Sequence, residues 1–239
     1  RGALLKWAVK KSNMLVANSS ATRERLLELG AESSKVIHIP ATPNYPDPDR
    51  KTHTPPSRPR IFFAGRVIEE KGVDLLVEAM PEILKSFPEA QLRIAGSGAL
   101  DEPLHSRVSE LGLEEVVTFL GWQNSSDLRN EMQSATILVA PSRMIVGQNL
   151  VVTEALSVGC PVITTPRGGV LDLIKDKQTG IIIREPETDA IAEAVIHCLS
   201  QPDLLEQYSI NGYRHFQENF SRKEITQRTL RLYKSLKKD

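Results

Sequence analysis

"TILVAPSRMIVGQNLVVTEALSVGCPVITTPRGG", residues 136–169, decides the fold. It opens on an unbroken apolar run, passes through a polar loop into the helix-like "QNLVVTEALSVG", and closes on a second apolar run, "PVITT". Short apolar runs without polar alternation are strands covered on both faces. Separated by helices, they build a parallel sheet from βαβ units. One residue resists that simple reading. Glu154 places a carboxylate inside an otherwise apolar helix, where burial is expensive unless something pairs with it. Its two acceptor oxygens suit a vicinal diol such as a ribose 2′,3′ pair. A glutamate at the helix edge, solvated or ion-paired with Arg143 or Arg167, fits the same residues.

The same alternation extends in both directions. Upstream come the strand "RIFFAG", a helix over "GVDLLVEAMPEILKSF" with a kink or break expected at Pro81, the strand "AQLRIAG", the helix "DEPLHSRVSELG", the strand "EVVTFLG" and the short helix "SSDLRNEMQSA". Downstream come the helix "GGVLDLIKD", the strand "TGIII", the helix "ETDAIAEAVIHCLS" and two closing helices. The pattern predicts an α/β, Rossmann-like doubly wound parallel sheet over residues 60–206, with further helices over 207–239. Residues 1–40 read helix, strand, helix, strand. Between them, residues 40–59 hold seven prolines in twenty positions. Proline fixes φ and lacks a donor, so 41–59 reads as a stiff, extended linker.

Composition narrows the function. With 30 basic and 30 acidic residues the chain carries no field to recruit nucleic acid. Cys160 and Cys198 form neither a disulfide framework nor a metal motif, which points to a reducing, cytoplasmic setting without a bound metal. No apolar run reaches the roughly 18 residues that span a bilayer. The chain opens at Arg1 without a methionine or signal peptide, as a piece of something longer would.

In an open parallel sheet, ligands bind beyond the carboxyl ends of the strands. Those ends read Ala64-Gly65-Arg66, Ala95-Gly96-Ser97-Gly98, Leu120-Gly121-Trp122, Ala140-Pro141-Ser142 and Thr164 to Gly169. Arg66, with Lys71 five residues on, offers a fork and a movable point charge to a diphosphate. The alternative is a pair of surface cations partnered by Glu69 and Glu70. Gly147, Gln148 and Asn149 precede a helix whose free amides attract anions. Gly96 and Gly98 lack the spacing of a dinucleotide fingerprint and suit a turn bordering the cleft.

Together these stretches resemble the donor-binding half of retaining glycosyltransferases of the GT-B fold, the large family 4 or glycosyl transferases group 1, akin to glycogen synthases and bacterial mannosyltransferases. "FFAGRVIEEKGVDLLVEA" resembles the first unit of that half, and "LVAPS…GQNLVVTEALSVGCPVITTPRGG" its signature region. The resemblance implies that Arg66 and Lys71 hold the diphosphate of a nucleotide sugar and carry the catalytic electrostatics. It implies that Glu154 binds the ribose. Gly65, Gly96, Gly98 and the amides of Gly147, Asn149, Leu150 and Val151 would surround phosphate and sugar, and the segment at Leu120 the base. The donor, a UDP- or GDP-hexose, would be a substrate; no cofactor is implied. The acceptor would be a saccharide, a lipid-linked or a small molecule. Residues 1–40 would be the end of an N-terminal acceptor domain that this chain otherwise lacks, so the chain alone would be inactive.

Besides the missing acceptor domain, two departures qualify the match. The first acid of the family's Glu-x7-Glu pair falls at Val146, which suits an inactive nucleotide-sugar-binding or scaffolding domain as the alternative. The turn usual after "VIHIP" is replaced by "PATPNYP". Finally, in "SRKEITQRTLRLYKSLKKD" Ile225, Thr229, Leu232 and Leu236 form one apolar stripe on a basic helix. Two faces compete for it. One is residues 1–40, onto which the helix would dock; the other is the anionic inner face of a membrane, as peripheral association. The stripe is narrow and lacks Trp or Phe, which favours docking.

Overall fold

The computed structural model describes residues 2–44, 58–145 and 147–236. A small first unit comprises helix α1 (Gly2–Lys11), strand β1 (Leu15–Ala17), helix α2 (Ser20–Glu28) and strand β2 (Val36–His38). The two strands pair in parallel from Leu15 opposite Val36 to Ala17 opposite His38. Ser19 starts α2, its hydroxyl accepting the Thr22 amide at 3.1 Å. Most of the proline-rich stretch, residues 45–57, lies outside the described residues.

The main unit alternates β3 (Arg60–Ala64), α3 (Val73–Ser86), β4 (Gln91–Ala95), α4 (Asp101–Glu110), β5 (Val117–Gly121), α5 (Ser125–Ser134), β6 (Ile137–Ala140), α6 (Leu150–Val158), β7 (Val162–Thr164), α7 (Val170–Leu173) and β8 (Ile181–Ile182). Helices α8 (Thr188–Leu199), α9 (Pro202–Asn219) and α10 (Arg222–Leu236) follow. Every strand pairing in this sheet is parallel, and the spatial order is β5-β4-β3-β6-β7-β8. Numbered within the unit, that is the doubly wound order 3-2-1-4-5-6, with its reversal between β3 and β6.

The apolar runs explain themselves in β3. Ile61 and Phe63 point to one face, against Leu76, Met80 and Ile83 of α3 and Val195 of α8. Phe62 and Ala64 point to the other, against Met132 of α5, Val152 of α6 and Phe216 of α9. Successive strand residues alternate between faces, so a strand covered on both must be apolar throughout.

Two details differ from the sequence pattern. Pro81 neither breaks nor ends its helix: α3 runs through it as one element. Only the Val77 carbonyl loses its intrahelical partner, while Met80 and Ile83, both fully buried, hold the helix to the sheet on either side. The stripe on α10 is shorter than its spacing suggested. Ile225 and Leu232 pack with Ile39, Ile37 and Met14 of the first unit, but Leu236 is 46% exposed. No helix among the described residues is long and apolar enough to cross a membrane.

Gly96 shows how tightly the strand ends are set. Its φ is +132°, and a Cβ there would lie 1.8 Å from the Gly65 carbonyl oxygen. Gly96→Ala combines strained backbone with overpacking and is expected to cost at least about 1–3 kcal/mol. Urea unfolding of the variant measures this. An unchanged midpoint would show that the two loops have room to separate.

Candidate functional site

The loops after β3, β4 and β5 and the start of α6 enclose a cleft of about 280 Å³, lined by Gly65, Arg66, Gly96, Trp122, Gln123 and Val151 among others. It sits at the carboxyl edge of the sheet, beside the point where strand order reverses, where α/β sheets receive their ligands.

Arg66 leaves the end of β3 exposed to solvent, and Lys71 ends the 3-10 turn Glu69–Lys71 immediately before α3. Gly72 makes the junction at φ +71°, where a Cβ would lie 2.1 Å from the Pro141 carbonyl oxygen. Lys71 is partly buried, and its pKa lies below the ordinary 10.5, first because burial disfavours its charge and then because Arg66 is close by. Neither cation has an ion-pair partner among the described residues. Glu69 and Glu70, adjacent in sequence, do not neutralise them. Two cations close together at a strand end could receive an anion with several oxygens; Arg66 lines the cleft and Lys71 stands beside it.

Glu154 lies on α6, three residues after Val151 and hence on the same side of the helix. Burial pushes its pKa from the ordinary 4.5 up to about 7. Its side chain has no hydrogen-bond or ionic partner among the described residues. The two arginines able to pair with it are committed elsewhere: Arg143 to both carboxylate oxygens of Asp74, at 2.7 and 2.6 Å, and Arg167 to Glu185 at 2.6 Å. A partly buried carboxylate without a partner among the described residues could accept hydrogen bonds from a ligand's hydroxyls.

The remaining sequence candidates fall into different surroundings. Gly65 and Gly96 border the cleft, and the Gly96 amide is spent on the Gly121 carbonyl at 2.8 Å. Gly98 shapes the turn rather than lining the cleft: its amide donates to Asp101 at 2.9 Å, and a Cβ would meet the Val67 carbonyl oxygen at 2.2 Å. The Leu120 carbonyl holds Gln123 of the cleft wall at 2.7 Å. Gly147 packs beside the first unit, where a Cβ would lie 3.1 Å from the Asn18 side-chain oxygen. Asn149 occupies the N-cap of α6 without a capping hydrogen bond from its side chain, ahead of an exposed Leu150 and of Val151. Gln148 turns away to the chain crossing between the units, accepting from the Ala41 amide at 2.7 Å and donating to its carbonyl at 2.8 Å. Val146 lies outside the described residues. Among the described residues no cluster of three or more His, Cys, Asp or Glu could hold a metal.

Sequence reasoning passed over two residues. Trp122 follows Gly121 at the end of β5 and stands 76% exposed at the cleft. An aromatic residue directly after a strand-end glycine was the available signal. Arg143 drew notice only as a possible partner of Glu154, and no feature of the sequence pairs it with Asp74, sixty-nine positions away.

Comparison with known proteins agrees with this fold. The family model for glycosyl transferases group 1 matches residues 46–215. The chain is 34% identical over 174 residues to an uncharacterised glycosyltransferase of Methanocaldococcus jannaschii, covering 73% of this chain and 44% of the relative. It is 29% identical over 213 residues to a GDP-mannose-dependent α-(1-6)-phosphatidylinositol monomannoside mannosyltransferase of Mycolicibacterium smegmatis, covering 83% and 56%. Among solved structures, sucrose-phosphate synthase from Thermosynechococcus elongatus superposes with a TM-score of 0.84 at 26% identity, over 98% of this chain and 61% of that one. Anabaena HepE, solved in complex with UDP-glucose, superposes with a TM-score of 0.83 at 19% identity, over 98% and 66%. The chain thus spans about half the length of the curated relatives it matches. A parallel sheet wound in this order, under a family match over most of its length, places the chain in the glycosyl transferases group 1 family.

Proposed function

We propose that this chain is the donor half of a retaining GT-B hexosyltransferase and binds a UDP- or GDP-hexose at the carboxyl edge of its main sheet. One observation carries the reading: two cations, Arg66 and Lys71, and a partly buried carboxylate, Glu154, none with an ionic partner among the described residues, flank the reversal of strand order. A nucleoside diphosphate has the complementary pair of features, an anionic diphosphate and a ribose diol. The names of the relatives support the choice of bases, one being GDP-mannose-dependent and another solved with UDP-glucose.

In this reading Arg66 grips diphosphate oxygens with its fork while Lys71 follows them as a point charge. As the sugar–phosphate bond breaks, negative charge grows on the departing diphosphate, and cations already in place stabilise it without reorganisation. Glu154 accepts hydrogen bonds from the ribose hydroxyls, fixing the distance between diphosphate and base. The base lies by Leu120 and Gln123, with the Trp122 indole against its face. The acceptor, a saccharide, lipid-linked or small molecule, approaches from the side opposite the sheet. The chain spans about half the length of the curated relatives it matches, and transfer needs both reactants held in register. The chain alone is therefore expected to bind donor without transferring sugar.

Calorimetry against UDP-, GDP- and ADP-hexoses tests the reading. One base class should bind with one site per chain, and absence of binding to all three would refute it. Base–aromatic stacking contributes about 1–3 kcal/mol. Trp122→Ala should therefore weaken the bound nucleoside diphosphate about fivefold to a hundredfold and leave inorganic pyrophosphate unaffected. A second reading, a nucleotide-sugar-binding domain without turnover, is favoured by Val146 in place of the family's first acid. The two share the donor site and differ in whether the longer protein transfers sugar.

A further inference from the structure

We infer that Arg143 is a positioning residue for the diphosphate site and acts through Lys71. The inference rests on the reading of Lys71 as a diphosphate ligand. Arg143 stands on the loop after β6, yet its contacts converge on the turn after β3 and the first turn of α3. Its guanidinium donates to both Asp74 oxygens at 2.7 and 2.6 Å and also to the Glu69 carbonyl. Its own amide donates to the Glu70 carbonyl at 2.9 Å, joined there by the Ser142 hydroxyl at 3.1 Å and the Met144 amide at 3.3 Å. Residues 142–144 thus hold the carbonyls of Glu69 and Glu70 and the side chain of Asp74. Lys71 lies between these anchors.

Among the described residues Lys71 has no ion-pair partner to aim it. A lysine rides on a flexible four-carbon stem, so the backbone from which it springs determines where its charge sits. Hydrogen bonds with one ionised partner are about twice as strong as neutral ones, and a fork closing on both oxygens of a carboxylate fixes orientation as well. The Arg143–Asp74 pair is only 29% exposed on each side, which limits screening by water. Asp74 in turn raises the guanidinium pKa still further, so Arg143 stays charged at any working pH.

The clamp also joins the two banks of the crevice. The loop carrying Arg143 continues into Gly147–Asn149 and α6, the helix of Glu154. Lys71 and Glu154 stand on opposite sides of the strand-order reversal, and Arg143 is the ionic link from one bank to the turn on the other.

A double-mutant cycle with inorganic pyrophosphate as the probe tests this. Calorimetry would compare the full chain with Arg143→Met, Lys71→Ala and the double variant. Arg143→Met should lower pyrophosphate affinity about fivefold to tenfold with Lys71 present, and by less than about twofold once Lys71 is alanine, since residues acting as a unit are not additive. On an Arg66→Ala background the Arg143→Met loss should persist. Arg143→Lys should recover little, because an ammonium cannot span both Asp74 oxygens and the Glu69 carbonyl. The pH titration of Lys71, followed by NMR of the methylated lysine, should move back toward the ordinary value in Arg143→Met as the loosened turn lets the ammonium into water.

If Arg143→Met does not fold, Asp74→Asn supplies the same cycle with a smaller loss that is again confined to the Lys71 background. An equal loss with and without Lys71 would overturn the inference. So would wild-type affinity in Arg143→Met alongside a weakened Lys71→Ala, an outcome that leaves the phosphate site standing. Wild-type affinity in Lys71→Ala itself would instead overturn the reading of the site and this inference with it.

Discussion

Lys71→Ala is expected to weaken inorganic pyrophosphate and nucleoside diphosphate by the same factor, about tenfold to a hundredfold. A hydrogen bond to a charged group contributes about 1.5–3 kcal/mol net, and each factor of ten in affinity corresponds to about 1.4 kcal/mol. Arg66→Ala should act in the same direction. Its loss should be smaller and more sensitive to salt, because Arg66 is exposed whereas Lys71 is partly buried and less screened. The pH dependence has a definite sign. Burial and Arg66 hold the Lys71 pKa below 10.5, so its charge is lost at a lower pH than that of an ordinary lysine. Diphosphate affinity should begin to fall in the alkaline range before free lysine titrates, and that fall should be absent in Lys71→Ala. Titration of both anions against both variants decides the matter; wild-type affinity in both variants would remove the phosphate clamp.

Glu154→Gln should move stability and binding in opposite directions. The folded carboxyl titrates near 7 instead of 4.5. Between those values the folded state holds more protons than the unfolded one, so this group makes the protein less stable as pH rises from 4.5 to 7. Above 7 the penalty is complete and amounts to at most about 3.5 kcal/mol, at about 1.4 kcal/mol per pH unit. The uncharged glutamine is free of that penalty. The variant should therefore unfold at higher temperature than wild type at pH 8 and at nearly the same temperature at pH 4. It should bind pyrophosphate normally and nucleoside diphosphate about tenfold or more weakly, having lost a charge-assisted grip on the ribose. Wild-type affinity for nucleoside diphosphate should fall more steeply than the variant's as pH drops below 7, the fall common to both reporting protonation of the terminal phosphate. Equal losses for the two ligands would assign Glu154 a structural role.

The sheet was legible because burial on both faces leaves a local mark, an unbroken apolar run such as "RIFFA" or "ILVA" between helices. The strand order was not written locally. It follows from which helices cross to which face, through contacts such as Phe62 with Phe216 that no spacing announces. Pro81 misled for a related reason: tertiary packing of Met80 and Ile83 outweighs one missing hydrogen bond. At the site, Arg66, Lys71 and Glu154 stood out as charges in apolar or strand-end settings. That Glu154 lacks a partner among the described residues is visible only in the structure, where Arg143 and Arg167 engage Asp74 and Glu185. Gly96 and Gly98 were legible as turn residues, yet the reason each must be glycine, the approach of the Gly65 and Val67 carbonyls, depends on a neighbouring loop.

The central claim is that one ligand joins the cation pair to Glu154 across the strand-order reversal. A crystal structure of the chain with the nucleoside diphosphate that binds it in calorimetry tests this most directly. The account predicts diphosphate oxygens within hydrogen-bond distance of Arg66 and Lys71, with both ribose hydroxyls on the Glu154 carboxylate. A ligand seated elsewhere, or one whose ribose leaves Glu154 untouched, would contradict it.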